Sequence, residues 1–60
     1  MDKVYQIWKC KTGGLVLAPS DHNTVTQLKF KGANLIDEQA FSSAEAAFEW
    51  FKHKSDKIFL

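Results

Sequence analysis

Arginine is absent from this 60-residue chain, cysteine, proline and methionine occur once each, and glycine occurs three times. Each shortage closes a class of explanation. All eight cations are lysines, so the planar fork that reads guanine edges or clamps a carboxylate in two places is missing, which weakens any base-specific role. Cys10 has no second thiol to bridge to, and no apolar h-region follows Met1, so nothing marks a secreted disulfide scaffold. The expected compartment is the cytoplasm. No apolar run approaches the roughly 20 residues that span a bilayer, so no membrane partner is expected. Internal repeats, low-complexity tracts and linkers are also lacking, and the chain is read as one small domain over 1–60.

What the chain has in abundance is aromatic surface. Five Phe, two Trp and one Tyr each bring roughly 150 to 250 Å² of side chain, an apolar mass that can replace the bridges or metal small domains often need. The net charge of +1 hides an asymmetry. Residues 1–31 carry five lysines against Asp2 and Asp21, whereas residues 32–60 carry three against five carboxylates.

Val4–Lys11 mixes β-branched and aromatic residues with apolar groups at both parities, a strand with apolar side chains on both faces. Thr12-Gly13-Gly14 supplies a tight turn, and Leu15–Ala18, stopped by Pro19, completes a hairpin. Pro19–Asn23 has the composition of a surface loop. Thr24–Lys31 alternates, with Thr26, Leu28 and Phe30 on one side, and is expected to be a third strand. Gly32-Ala33-Asn34 reads as a turn and Leu35–Ala40 as a fourth strand.

The segment 42–54 is expected to be the single helix. Ser42 and Glu45 have capping-box spacing, and Ala44, Ala47, Phe48 and Phe51 follow at i, i+3, i+4 and i+7 as the apolar stripe. The predicted class is therefore α+β, an antiparallel four-stranded meander with one C-terminal helix on one face. Ile58-Phe59-Leu60 is too apolar to stay in water and is expected to add a short terminal strand or pack on a second copy. From Leu28 onward the spacing Leu28-Lys29, Gly32, Ile36, Phe41-Ser42-Ser43 and Ala46-Ala47 resembles the YegP-like repeat, a short bacterial β-β-β-α unit of uncharacterised function. The shared positions are turn, cap and core residues over about half the chain.

No chemistry is legible. His22, His53 and Cys10 come from separate elements without ligand spacing, so no metal is expected, and Cys10 lacks the base that would make it a nucleophile. Asp37 and Glu38 are strand neighbours pointing to opposite faces, and Glu45 and Glu49 lie on the solvated side of the helix. Gly13-Gly14 lacks the lysine and following helix of a phosphate loop. No catalytic residue and no cofactor is expected, and the chain is not read as an enzyme.

Two features carry binding hypotheses. Trp50 lies at the margin of the helix stripe beside Ala46, His53 and Lys54, and with Phe59 of the tail it forms an expected partner-binding patch. The corresponding function is a small non-enzymatic binding protein acting through protein–protein interaction, with a protein partner or a homodimer mate. By analogy of size and composition it is an accessory regulator or inhibitor of the kind phages and mobile elements encode. The alternative is a weak nucleic-acid binder using a sheet face bearing Trp8, Lys9, Lys11, Lys29 and Lys31, where aromatics would stack bases and lysines hold phosphates.

Overall fold

A computed structural model describes the backbone of residues 2–59 and the side chains of residues 2–56. It is an α+β domain of five elements: β1 (Lys3–Lys9), β2 (Leu15–Pro19), α1 (His22–Phe30), β3 (Asn34–Phe41) and α2 (Ala44–Phe59). The strands form one antiparallel sheet in the order β2-β1-β3, with Gln6 opposite Ala18 on one side and Glu38 on the other. The four-stranded meander with a single helix is therefore corrected to three strands and two helices.

The hairpin forms where Gly13 supplies a φ of +100°, a backbone state costly for any residue with a Cβ. Its closure is drawn tight by the amide of Cys10 on the Gly14 carbonyl at 2.7 Å and that of Gly13 on the Cys10 carbonyl at 2.9 Å.

The segment expected as a third strand is α1. Asp21 caps it: one carboxylate oxygen accepts the Thr24 amide at 2.9 Å and the other accepts the Thr24 hydroxyl at 2.6 Å. The far end closes as a Schellman turn, with the Ala33 amide on the Leu28 carbonyl, the Gly32 amide on the Lys29 carbonyl, and Gly32 at φ +84°. With both ends specified, a nine-residue segment of mixed propensity turns helical. Its buried side is Val25 and Leu28, three residues apart, which pack on the cluster of Trp8, Ala18 and Ala33. Phe30, expected to face the core with Thr26 and Leu28, is instead 92% exposed.

The parity of the strands then sets two cores. Trp8 lies opposite Val16, and Gln6 opposite Ala18, so these share the face that α1 covers. Tyr5, Ile7, Asp37 and Phe41 belong to the other face, which α2 covers through a Phe41–Trp50 ring contact and a Lys54–Asp37 ion pair. Ile7 and Ala47 are both fully excluded from solvent. The outcome is a three-layer stack only three strands wide, which explains Cα extents of 31 × 31 × 13 Å. Strands lie about 4.8 Å apart and layers about 10 Å, so the thin dimension runs across the strands. The apolar groups on both faces of β1 are what a strand covered on both sides requires.

A polar chain crosses the α1-side core. The Trp8 indole donates to Gln6 Oε1 at 3.0 Å, and Gln6 Nε2 donates to Glu38 Oε1 at 2.7 Å, so the buried amide is satisfied on both ends.

Helix α2 starts one residue later than its expected capping box. Ser43, not Ser42, accepts the Ala46 amide on its hydroxyl at 3.2 Å. Phe41 is still in register opposite Lys3, which leaves Ser42 as the link between strand and cap. The face α2 turns inward is also shifted. Ala47 is buried and Trp50, Phe51, Lys54 and Ser55 are half-buried, while Phe48 is 53% exposed and Ala44 is exposed. At 100° per residue this is a rotation of roughly 40° from the expected Ala44-Ala47-Phe48-Phe51 stripe. The backbone of 58 and 59 continues α2, so the terminal strand is corrected there, and Leu60 lies outside the described residues.

Candidate binding surfaces

The partner-binding residues expected from sequence fall on one flank of α2. Ala46, Trp50, His53 and Lys54 follow at i, i+4, i+7 and i+8, with Ala46 and His53 exposed and Trp50 and Lys54 half-buried. This flank overhangs β3. Trp50 leans on Phe41, which in turn lies 6.2 Å from Tyr5 between ring centroids. Lys54 Nζ reaches Asp37 Oδ2 at 2.8 Å. The Lys54 hydrogen bond, followed by the Glu38 amide, holds the Asp37 carboxyl below the ordinary carboxylate range. Asp21 is lowered as well, first by the Thr24 hydroxyl and then by the Thr24 amide. The expected member Phe59 lies on the last turn of α2, beyond the described side chains.

The nucleic-acid set is rearranged. Trp8 is only 2% exposed beneath α1, so it offers no face for a base to stack on, and this part of the expectation is corrected. Lys29 and Lys31 sit at the end of α1 and not on the sheet. Even so, the fold gathers the four lysines at one end of the molecule. Lys9 closes β1 opposite Asn34, Lys11 lies in the hairpin turn, and the Lys11 stem runs beside Gly32, 3.5 Å from where a Cβ would stand. All four lysines are exposed.

His22 opens α1, His53 lies on α2 and Cys10 follows β1 as a half-buried free thiol. Among the described residues no group of His, Cys, Asp and Glu is arranged to hold a metal ion. Nor does any helix there have the length and apolarity to cross a membrane.

Sequence reasoning missed the outer edge of β3. This eight-residue strand pairs with β1 on one side only. Its Leu35 and Ile36 are 50% and 40% exposed, large apolar residues beside a register shift in which Ile36 has no partner across in β1. The other edge, β2, is five residues long and ends in Pro19, which blunts it. Only an edge assignment, available from topology and not from local pattern, would have singled β3 out.

Comparison with protein-family models, with curated proteins and with solved structures returns no match. The spacing shared with the YegP-like repeat is carried by turn, cap and core positions. Here those positions belong to an α-β-α succession rather than a β-β-β-α unit.

Proposed function

We propose that this domain is a non-enzymatic binding protein whose partner is another protein, engaged by strand addition along the open edge of β3. The carrying observation is that edge itself: eight residues of strand with one side unpaired, apolar Leu35 and Ile36 exposed on it, and the Trp50 flank of α2 overhanging it. Main-chain hydrogen bonds from an added strand supply affinity, and alternate side chains supply specificity.

The charges of β3 favour a different chain over a second copy. An antiparallel self-pairing centred on the strand sets Asp37 of each copy against Glu38 of the other, and like charges directly opposite are destabilising. A partner strand bearing lysine or arginine at those positions meets them favourably. An accessory regulator or inhibitor acts in this way, by occupying a surface of its target.

The test is a Leu35→Lys/Ile36→Lys double variant, which places charge on the edge and blocks pairing. Both positions are too exposed for the change to unfold the domain. Wild-type protein should retain a specific host protein through washing while the variant, melting within a few degrees of wild type, does not. Equal retention by both, or a wild-type protein that sediments as a β3-linked dimer and retains nothing, would defeat the reading.

A further inference from the structure

The two ends of the sheet carry opposite charge. The segments that build one end, residues 9–15 and 28–36, contain Lys9, Lys11, Lys29 and Lys31 and no carboxylate. The other end is where Lys3 pairs with Phe41, where Asp21 caps α1 and where Glu45 opens α2. Among the described residues the one lysine–carboxylate ion pair is Lys54–Asp37, on the α2 side of the sheet, so the four clustered lysines have no acidic partner. Asp56, toward the end of α2, lies on the same side of the sheet as Lys9, across from α1.

Two of these lysines have an ordinary explanation. Cations at a helix C-terminus complement its dipole, which accounts for Lys29 and Lys31. It does not account for Lys11, which comes from the hairpin and whose stem the fold brings beside Gly32; Lys9, two residues on from Ile7, belongs to the α2 side of the sheet. Neither does it account for Phe30. This ring stands between Lys29 and Lys31 at 92% exposure, contributing nothing to either core.

A flat apolar ring set among unpaired cations is the minimal apparatus for holding a nucleotide chain, the ring stacking a base and the ammonium groups holding phosphates. We infer that the corner of the molecule formed by Lys11, Lys29, Phe30 and Lys31 is a binding site for single-stranded nucleic acid. The strand is single because a surface ring stacks only on a base already out of its duplex. The absence of arginine removes bidentate base readout, so the site is indifferent to sequence. This surface is separate from the outer edge of β3, and either proposal stands or falls without the other.

The probe is a fluorescently labelled dT12 oligonucleotide, titrated by anisotropy across a series of salt concentrations, with a 12-bp duplex and a polyglutamate peptide as competitors. Three phosphate contacts give a slope of log affinity on log salt of roughly −2. Phe30→Ala should weaken binding about tenfold at fixed salt with an unchanged melt, because the ring is already in water. Lys29→Gln/Lys31→Gln should weaken it and flatten the slope, whereas Lys52→Gln on α2 should do neither. No binding of dT12 at low salt overturns the inference. So does equal competition by polyglutamate with Phe30→Ala indistinguishable from wild type, which would make the site a dock for an acidic protein segment. A duplex that outcompetes dT12 also overturns it.

Discussion

Phe41 and Trp50 meet with ring centroids 5.1 Å apart and planes tilted by 47°, and this contact fixes which side of α2 faces the sheet. Phe41 is the last residue of β3 and Trp50 the seventh of α2, so the pair clamps the turn between them. Phe48, two residues before Trp50 and so about 200° round the helix, is carried out to solvent with Lys52 Nζ 5.7 Å from its ring centre.

The consequence for stability is an inversion of what the helix stripe implies. Trp50→Ala should cost about 2 to 3 kcal/mol, a half-buried share of the usual loss for a large aromatic. Phe48→Ala should fall within about 1 kcal/mol of wild type. Urea melts of the two variants decide the matter: a larger loss at Phe48 would mean that α2 is rotated toward its sequence-expected stripe.

The start of α2 allows a test between adjacent serines. Ser43→Ala should cost about 1 kcal/mol through the lost cap, and Ser42→Ala only a few tenths. Chemical shifts of the Ala46 amide, read with the two melts, check the assignment; equal losses would place the cap at both residues or neither.

Gln6, Trp8 and Glu38 should behave as a unit. Gln6→Leu strands the Trp8 indole N–H beneath α1, at about 1 to 3 kcal/mol for an unsatisfied buried donor. Trp8→Phe removes that donor but leaves a cavity and an unpaired amide oxygen. The double variant should be less destabilised than the sum of the singles by about 0.5 to 1 kcal/mol. Strict additivity in the cycle would show that the hydrogen bond contributes nothing.

The Asp37–Lys54 pair gives the fold an acid-side dependence. Its carboxyl is held below the usual range in the folded state, so the folded form binds the proton less readily than the unfolded one. The stabilisation is present above the unfolded value, about 4, and fades as pH falls through the lower folded one. Both partners are a third or more exposed, so the contribution is small, under about 1 kcal/mol. Asp21 acts in the same direction. Lys54→Met should flatten the acid limb of the stability profile, below about pH 4, relative to wild type; an unchanged acid limb would assign it to other carboxylates.

How much of this was written in the sequence differs by element. The hairpin was legible because Gly13 answers a backbone need that few residues meet, and β3 and α2 were legible as strand and helix within a few residues. Helix α1 was not. Thr24–Lys31 satisfies a period of two and, through Val25 and Leu28, a helical spacing as well, and Asp21 and Gly32 act as caps only once the helix exists. The missing helix then hid the fate of Trp8. Its side of β1 is apolar enough to demand a covering layer, but only the segment 42–54 reads locally as a helix. The site is hidden in the same way: the lysines stand in the sequence, but the placing of Lys29 and Lys31 beside Lys11 depends on α1 turning back toward the hairpin.

Strand β1 holds the middle of the sheet although it is the first element of the fold, and that ordering governs assembly. Its pairing with β2 closes over a short turn and belongs to the microsecond regime of hairpins. Its pairing with β3 joins Lys3 to Phe41, a closure over a much longer stretch of chain that costs more entropy and is slower to form. Residues 3–19 are therefore the template on which β3 docks. A chain cut at the 31–33 connection would leave β3 as a free strand seeking the same place on β1, so the two fragments should recombine when mixed.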